Sequence, residues 1–261
     1  MSSEELRAEN IEEAKDIFED FNAIIESGLV PWIWQKKRQD RTRLVISVMS
    51  FLRLLRNEFV FFNPKYLQVA LSYWKDYSKH YPGTDKWIRI YETRLKSQSE
   101  SRDKMSEIGE RFVDLSSSRY PIPKCFSMVL EYEVIPKWGE IIVDFRKLLS
   151  VLAPVKVGIF HLPARPTTDK VYTQDEKTGE LKWIDEILDS DKPDRFMDDI
   201  RAEIEPNVLE HPYTVYLVIL VHAQVGGNEV NVHGYLLWRE TTGEVKIEKL
   251  QSKKYSSNGL R

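Results

Sequence analysis

Residues 125–162 constrain the fold of this chain more than any other stretch of its sequence. CFSMVLEYEV has the alternation of a half-buried strand, WGEIIVDFRKLLSVL has apolar residues at helical spacing, and VKVGIFHLP is a second apolar strand. A strand, a helix and a strand in this order predict a parallel strand pair joined by a right-handed crossover. Further along, YTVYLVILVHA is apolar enough for a strand covered on both faces, so we expect a mixed sheet.

The sequence before this unit has the pattern of helices. Apolar residues recur at helical spacing over 4–26 and again over 42–62, and a further helical pattern begins at Thr84 and extends to about Asp114. The sequence therefore predicts a helical N-terminal half followed by a strand-rich C-terminal half.

These patterns divide the chain into three regions of an α/β protein. We predict an N-terminal helical bundle at 1–118, a mixed β-sheet core with a crossover helix at 119–250, and a flexible tail at 251–261. Within the core, the turn residues at 177–179 predict a hairpin, and a helix is expected to begin near Pro193.

The bulk composition is that of an ordinary globular protein and excludes several classes. The 261 residues, 42% hydrophobic and 30% charged, suffice to bury a sizeable core. The single cysteine, Cys125, excludes an intramolecular disulfide and a cysteine-based zinc site. The first residues are acidic and polar, unlike a secretory signal, and no apolar run approaches the ~20 residues of a membrane helix. We expect a cytoplasmic protein without a membrane-bound part.

Charge is strongly segregated along the chain, although the net charge is only −3. Residues 28–168 carry 24 basic and 14 acidic side chains, whereas residues 169–210 carry 14 acidic and six basic ones. A basic region that mixes bases with tryptophans, as in PWIWQKKRQDRTR, is typical of nucleic-acid contacts. The predicted contacts are Lys36, Lys37, Arg38, Arg41 and Arg43. The alternative is that these bases are only solvated. Separately, the acidic 169–210 stretch is a candidate contact surface for a protein partner, or a mask of the basic region until a partner arrives.

Two glutamates share one face of the first strand of the strand-helix-strand unit. Glu131 and Glu133 are two residues apart, which places their carboxylates about 6–7 Å from each other along that face. Such a pair can hold a Mg²⁺ ion that also keeps waters and binds substrate phosphates. The alternative is that this face simply contacts solvent. On the helix, Asp144 lies at the edge of the apolar stripe, a helical wheel turns Lys147 toward solvent, and Lys156 begins the next strand.

The order of a strand with ExE, a helix with DFxKLL and a strand with KVxIF resembles the restriction-endonuclease-like, PD-(D/E)XK nuclease superfamily. The resemblance covers roughly Cys125 to Trp238, under half of the chain. It implies a metal-dependent nuclease or an inactive relative. It also implies that Glu131 matches the glutamate of the family's E-x-K. Glu133 stands where the family has lysine, so the lysine is either relocated, for example to Lys147, or lost.

The family also has an acidic metal ligand on the preceding strand of a hairpin. The sequence shows no clear hairpin before Cys125. Asp114 is the nearest earlier aspartate, and Glu107 or Glu110 on the predicted helix are alternatives.

The leading hypothesis is Mg²⁺-dependent phosphodiester hydrolysis on nucleic acid by a restriction-endonuclease-like core. In this hypothesis Glu131 and Glu133 are metal ligands, Lys147 or Lys156 stabilises the developing charge, and Asp144 is a supporting acid. The alternative hypothesis is a catalytically inactive nuclease-like scaffold that acts as a protein- or nucleic-acid-interaction module. The glutamate at position 133, where the family has lysine, favours that alternative.

Overall fold

A computed structural model describes most of the residues in these motifs and several other parts of the chain. The described residues are 2–24, 45–46, 49–50, 52–53, 56, 58–62, 89, 93, 113–119, 126–133, 138–162, 167–174, 181–188, 193–206, 211–223 and 229–256. The described helices are α1 (Ser3–Ile24), α2 (Trp138–Leu149) and α3 (Pro193–Ile204). The strands are β1 (Phe59–Phe62), β2 (Leu115–Ser118), β3 (Met128–Glu133), β4 (Val155–Leu162), β5 (Thr167–Gln174), β6 (Leu181–Leu188), β7 (Val215–Ala223), β8 (Glu229–Arg239), β9 (Val245–Lys249) and β10 (Lys253–Ser256).

One mixed sheet organises the described residues. Its strand order is β1-β2-β3-β4-β7-β8-β10, and β9 also pairs with β8. The central strands β3, β4 and β7 are parallel, whereas every other pairing in the sheet is antiparallel. β5 and β6 form a separate antiparallel pair. The predicted α/β class, with a mixed sheet and a crossover helix between β3 and β4, is confirmed.

Helices cover both faces of this sheet. On one face, which we call the α1 face, Phe18 and Phe21 of α1 join a buried cluster with Leu130 and Ile159. On the other face, the α2 face, side chains of α2 and α3 join a second buried cluster that includes Val129. Burial on both faces explains why β4 is buried at every position and reads as a nearly continuous apolar run.

Several local predictions are confirmed. The first helical pattern forms α1, whose start has reciprocal hydrogen bonds: the Ser2 backbone N–H donates to Glu5, and the Glu5 N–H donates to the Ser2 hydroxyl. The predicted acidic-region hairpin is the β5–β6 pair, and the helix expected near Pro193 is α3. The turn between β8 and β9 contains Gly243, whose φ of +91° favours glycine. None of the described helices is long and apolar enough to cross a membrane.

Other predictions differ from the structure. The helix predicted over 42–62 is wrong at its end, where Phe59–Phe62 forms β1. Aromatic and β-branched residues favour a strand, and the periodicity of so short an apolar run does not distinguish a strand from a helix. The strand β2 was not predicted. Because β1 and β2 both belong to the sheet, the described part of residues 1–118 is not wholly helical. The predicted flexible tail is wrong at Lys253–Ser256, because these residues form β10 and pair with β8.

Candidate active site

The β2–β3 pair brings two carboxylates together on the α2 face. Its register pairs Leu115 with Leu130. Because the strands are antiparallel, Asp114, just before Leu115, lies opposite Glu131, just after Leu130. Directly opposed side chains in an antiparallel pair have Cβ atoms about 4.5–5.5 Å apart. The backbone N–H of Tyr132 donates a hydrogen bond to Oδ2 of Asp114 at 2.9 Å. This bond fixes the Asp114 carboxylate beside that of Glu131.

Glu131 is buried in the floor of the site. Its side chain is only 3% exposed, and its neighbour across the parallel pairing with β4 is Gly158. A Cβ atom at position 158 would approach the ring of Phe160 to 2.5 Å. Glycine at this position therefore lets the Phe160 ring pack close to the backbone beside the strand that carries Glu131.

The crossover helix α2 supplies an acid and a base from one side. Asp144 and Lys147 are three residues apart and therefore neighbours on the helix surface. The Lys147 ammonium forms an ion pair with Asp144, and its Nζ lies 3.7 Å from Oε2 of Glu131. As predicted, the Lys147 side chain is partly in solvent, being 42% exposed, but its flexible stem also brings the ammonium back to Asp144 and Glu131.

The pKa values of this cluster reflect burial and crowding of like charges. Burial raises the pKa of Glu131 far above its usual range, and the facing Asp114 carboxylate raises it further, against the opposing effect of Lys147. Burial also raises the pKa of Asp114, although its hydrogen bond from Tyr132 lowers it in part. Partial burial lowers the pKa of Lys147, but Asp144 and Glu131 raise it by more. A cation at the carboxylates would favour their charged forms.

The remaining predicted site residues have different positions. Glu133 is half-buried on the same face as Glu131, one strand period further along, and pairs with Phe160 in the register. Lys156 is buried in β4, with its Nζ 3.4 Å from the Tyr216 hydroxyl. Several predicted residues lie outside the described part of the chain: Lys36, Lys37, Arg38, Arg41, Arg43, Glu107, Glu110 and Cys125.

The cluster that the structure assembles is therefore Asp114, Glu131, Asp144 and Lys147, which we call the carboxylate cluster. Sequence reasoning recognised three of its members and kept Asp114 only as one of three alternatives. The signal for Asp114 was weak because the strand that follows it, LSSS, has a single apolar residue and therefore no alternation of apolar and polar positions.

Behind Glu131, on the α1 face, a buried hydrogen bond joins two adjacent strands. The Tyr132 hydroxyl and Nε2 of His161 are 2.7 Å apart, and both side chains are buried. The rings meet edge to face, with centroids 5.4 Å apart. This contact connects β3 to β4 directly beneath the backbone that holds Asp114.

The donors of the carboxylate cluster are hard oxygen atoms. Among the residues that the structure describes, no group of three or more His, Cys, Asp or Glu side chains is arranged to hold a metal ion. No protein-family model, curated protein or solved structure gives a significant match to this chain.

Proposed function

We propose that this chain hydrolyses phosphodiester bonds of nucleic acid with Mg²⁺, using a restriction-endonuclease-like core. The observation that carries the proposal is the convergence of Asp114, Glu131 and Lys147, from three separate segments, on one place at the sheet. A lone pair of solvated glutamates would have favoured a binding module. Instead, Glu131 is buried, faces a second carboxylate and lies near an ammonium.

The cluster supplies both parts that the nuclease resemblance lacked in the sequence. Asp114 provides an acid at the strand that precedes β3 in an antiparallel pair, as the family requires. Lys147 provides an ammonium near Glu131, although Glu133 stands where the family has its lysine. These two correspondences support a relocated lysine rather than a lost one.

The donor set fits Mg²⁺. Mg²⁺ prefers carboxylate oxygens, retains several waters, and is commonly bound by one or two carboxylates together with substrate phosphates. Asp114 and Glu131 would hold the ion. Glu133 remains a predicted further ligand, and its substitution would test that role. When bound there, the ion would polarise a phosphate oxygen and lower the pKa of a coordinated water.

The protein's own groups then have separate tasks. The Tyr132 N–H orients the Asp114 carboxylate. The Lys147 ammonium stabilises the negative charge that develops on the phosphate, because a positive charge is worth more in a partly desolvated site than in water. Asp144 pairs with Lys147 and limits where its ammonium can move.

The predicted basic segment around Lys36 to Arg43 would bind the phosphate backbone. Such contacts release counterions, so the affinity for nucleic acid should fall steeply with rising salt. An affinity that is the same at low and moderate salt would contradict the backbone-contact part of the proposal.

The decisive experiment is cleavage of single- and double-stranded DNA and RNA in Mg²⁺ or Mn²⁺. The native protein is compared with Glu131→Gln and Asp114→Asn, prepared identically. Both changes keep the side-chain shape and remove a charge, so we expect at least about a hundredfold loss of cleavage. Glu140→Gln is the matched control, because Glu140 is an exposed carboxylate on α2 and its loss should leave cleavage unchanged.

Each outcome separates the two functions. Cleavage that disappears in the two site variants and persists in the control supports the nuclease. Equal cleavage by all four proteins assigns the activity to a contaminant and contradicts the proposal. If the native protein cleaves none of the substrates with either metal, the inactive interaction scaffold becomes the better interpretation.

A further inference from the structure

Lys147 holds a position that a metal ion bound to Glu131 would contest. Its Nζ is 3.7 Å from Oε2 of Glu131 and also pairs with Asp144. Among the described ion pairs, it is the cation that reaches the buried glutamate of the cluster. The remaining member, Asp114, accepts its hydrogen bond from a backbone N–H. The ammonium is therefore a counter-ion of Glu131 and Asp144.

A divalent ion and this ammonium are incompatible partners for Glu131. Two positive charges that share one buried carboxylate repel each other strongly, because the interior screens charge poorly. The Lys147 side chain is 42% exposed and flexible, so its ammonium can leave Glu131 without disturbing the core. Asp144 is a neighbour on the same helix turn and can retain the ammonium after it leaves.

We propose that Lys147 is an internal counter-ion that occupies the cation site of the metal-free protein and yields it when a divalent ion binds. Metal binding then releases the ammonium from Glu131 while Asp144 keeps it near the site. Lys147 thus weakens metal binding in the resting protein and becomes available to the substrate only after the metal is bound. This inference rests on the proposed function, since it assumes that Asp114 and Glu131 are metal ligands.

The test measures Mn²⁺ binding directly, without any nucleic-acid substrate. Isothermal titration calorimetry and the paramagnetic signal of free Mn²⁺ are applied to the full-length native protein and to Lys147→Met. We expect roughly tenfold tighter Mn²⁺ binding in Lys147→Met, because the competing charge is removed. A catalytic role for Lys147 alone would leave the affinity unchanged.

Arg146→Met is the matched control. Arg146 precedes Lys147 on α2, is exposed, and forms a bidentate pair with Glu203 of α3. Its removal changes the net charge by the same amount but leaves the carboxylate cluster intact, so the Mn²⁺ affinity should not change. An equal gain in both variants would mean a general charge effect and would overturn the inference.

Thermal unfolding gives a second readout. Without metal, Lys147→Met should unfold at a lower temperature than the native protein, and saturating Mn²⁺ should raise its unfolding temperature by more. If Lys147→Met does not fold, Lys147→Gln is used in both experiments, because its amide can still donate a hydrogen bond to Asp144.

The outcomes distinguish this inference from the proposed function. If the Mn²⁺ affinity of Lys147→Met equals that of the native protein or is weaker, the counter-ion role is overturned and the nuclease proposal remains. If neither the native protein nor the variant binds Mn²⁺, the metal site itself is wrong, and both proposals fail.

Discussion

The two faces of the sheet bury charged residues near the same strands, but in opposite ways. On the α1 face, Arg53 donates to both carboxylate oxygens of Glu58, at 2.8 and 2.6 Å, and also pairs with Glu13. Glu58 in turn accepts a hydrogen bond from the Ser127 hydroxyl at the start of β3. On the α2 face, the carboxylate cluster gathers three acids around one lysine.

One glutamate from each face, the half-buried Glu13 and the buried Glu131, shows the difference most directly. Burial raises the pKa of Glu13, but the charges of Arg53 and Arg56 outweigh burial, and its pKa is lowered overall. The pKa of Glu131 is raised, because burial and Asp114 outweigh Lys147. In the α1-face network, two arginines, Arg53 and Arg56, pair with Glu13, Glu58 and Asp20. The carboxylate cluster has one lysine for its three acids, and such an excess of acids with shifted pKa values is typical of a site that receives a ligand.

The largest effect on stability should come from Arg53→Met. Arg53 is 2% exposed, and its loss leaves Glu58 and Glu13 without their main counter-charge. Removing one partner of a buried ion pair typically costs about 3–5 kcal/mol, and we expect a loss in that range. Urea unfolding of the metal-free protein measures it.

An exposed arginine provides the control for that loss. Arg201 of α3 pairs with Asp198 and Glu205 at 3.7 and 3.5 Å on the surface. Arg201→Met should change the free energy of unfolding by less than about 1 kcal/mol. Similar losses in both variants would show that the α1-face network has no special role.

A pair of isosteric changes should affect the stability of the protein to different extents. Glu58→Gln removes the charge that Arg53 requires and should destabilise the protein by about 1–3 kcal/mol. Glu131→Gln mimics the neutral carboxyl that the raised pKa of Glu131 favours, so it should leave the stability of the metal-free protein within about 1 kcal/mol of the native value. Both are measured by urea unfolding with a chelator present. A strongly destabilising Glu131→Gln would contradict the idea that burial and Asp114 already favour the neutral form of Glu131.

The smallest effect should be a pH dependence at Glu13. Its folded pKa lies below the ordinary value of 4.5, so its stabilising contribution is present above pH 4.5 and disappears as the pH falls through the lower folded value. At pH 7, native protein should exceed Glu13→Gln in stability by about 1 kcal/mol or less. Chemical unfolding of both proteins between pH 7 and pH 3 follows the difference. A gap that stays constant over this range would exclude the charged pair as its cause.

The sequence predicted those parts of the fold in which the pattern is strong and local. The β3-α2-β4 unit, α1, α3 and the β7 strand follow from apolar periodicity. β1 and β2 were missed because their identity as strands depends on pairing across more than 50 residues, with Phe59 opposite Ser118. Nothing within LSSS requires a strand, since its burial results from neighbours that lie far away in sequence.

The site was predictable in composition but not in arrangement. Strand alternation placed Glu131 on a face opposite to that of Tyr132, and the helical wheel placed Asp144 at the edge of the apolar stripe. A wheel gives the direction of the Cα–Cβ bond only, so it missed the return of the Lys147 ammonium. The Asp114 partnership depends on the β2–β3 register, which the sequence leaves open.

The attachments of α1 have a consequence for the order in which the chain matures. The Asn10 amide donates to the backbone carbonyl of Tyr213, 203 residues away, and Asn22 accepts from Tyr255, 233 residues away. During synthesis, therefore, α1 emerges long before the strands that contact it. Until those strands are made, its apolar stripe is exposed to water or bound by a chaperone. Residues 1–27 carry nine acidic and two basic side chains. We expect the repulsion between these negative charges to oppose association of the unpacked α1 with other copies of itself.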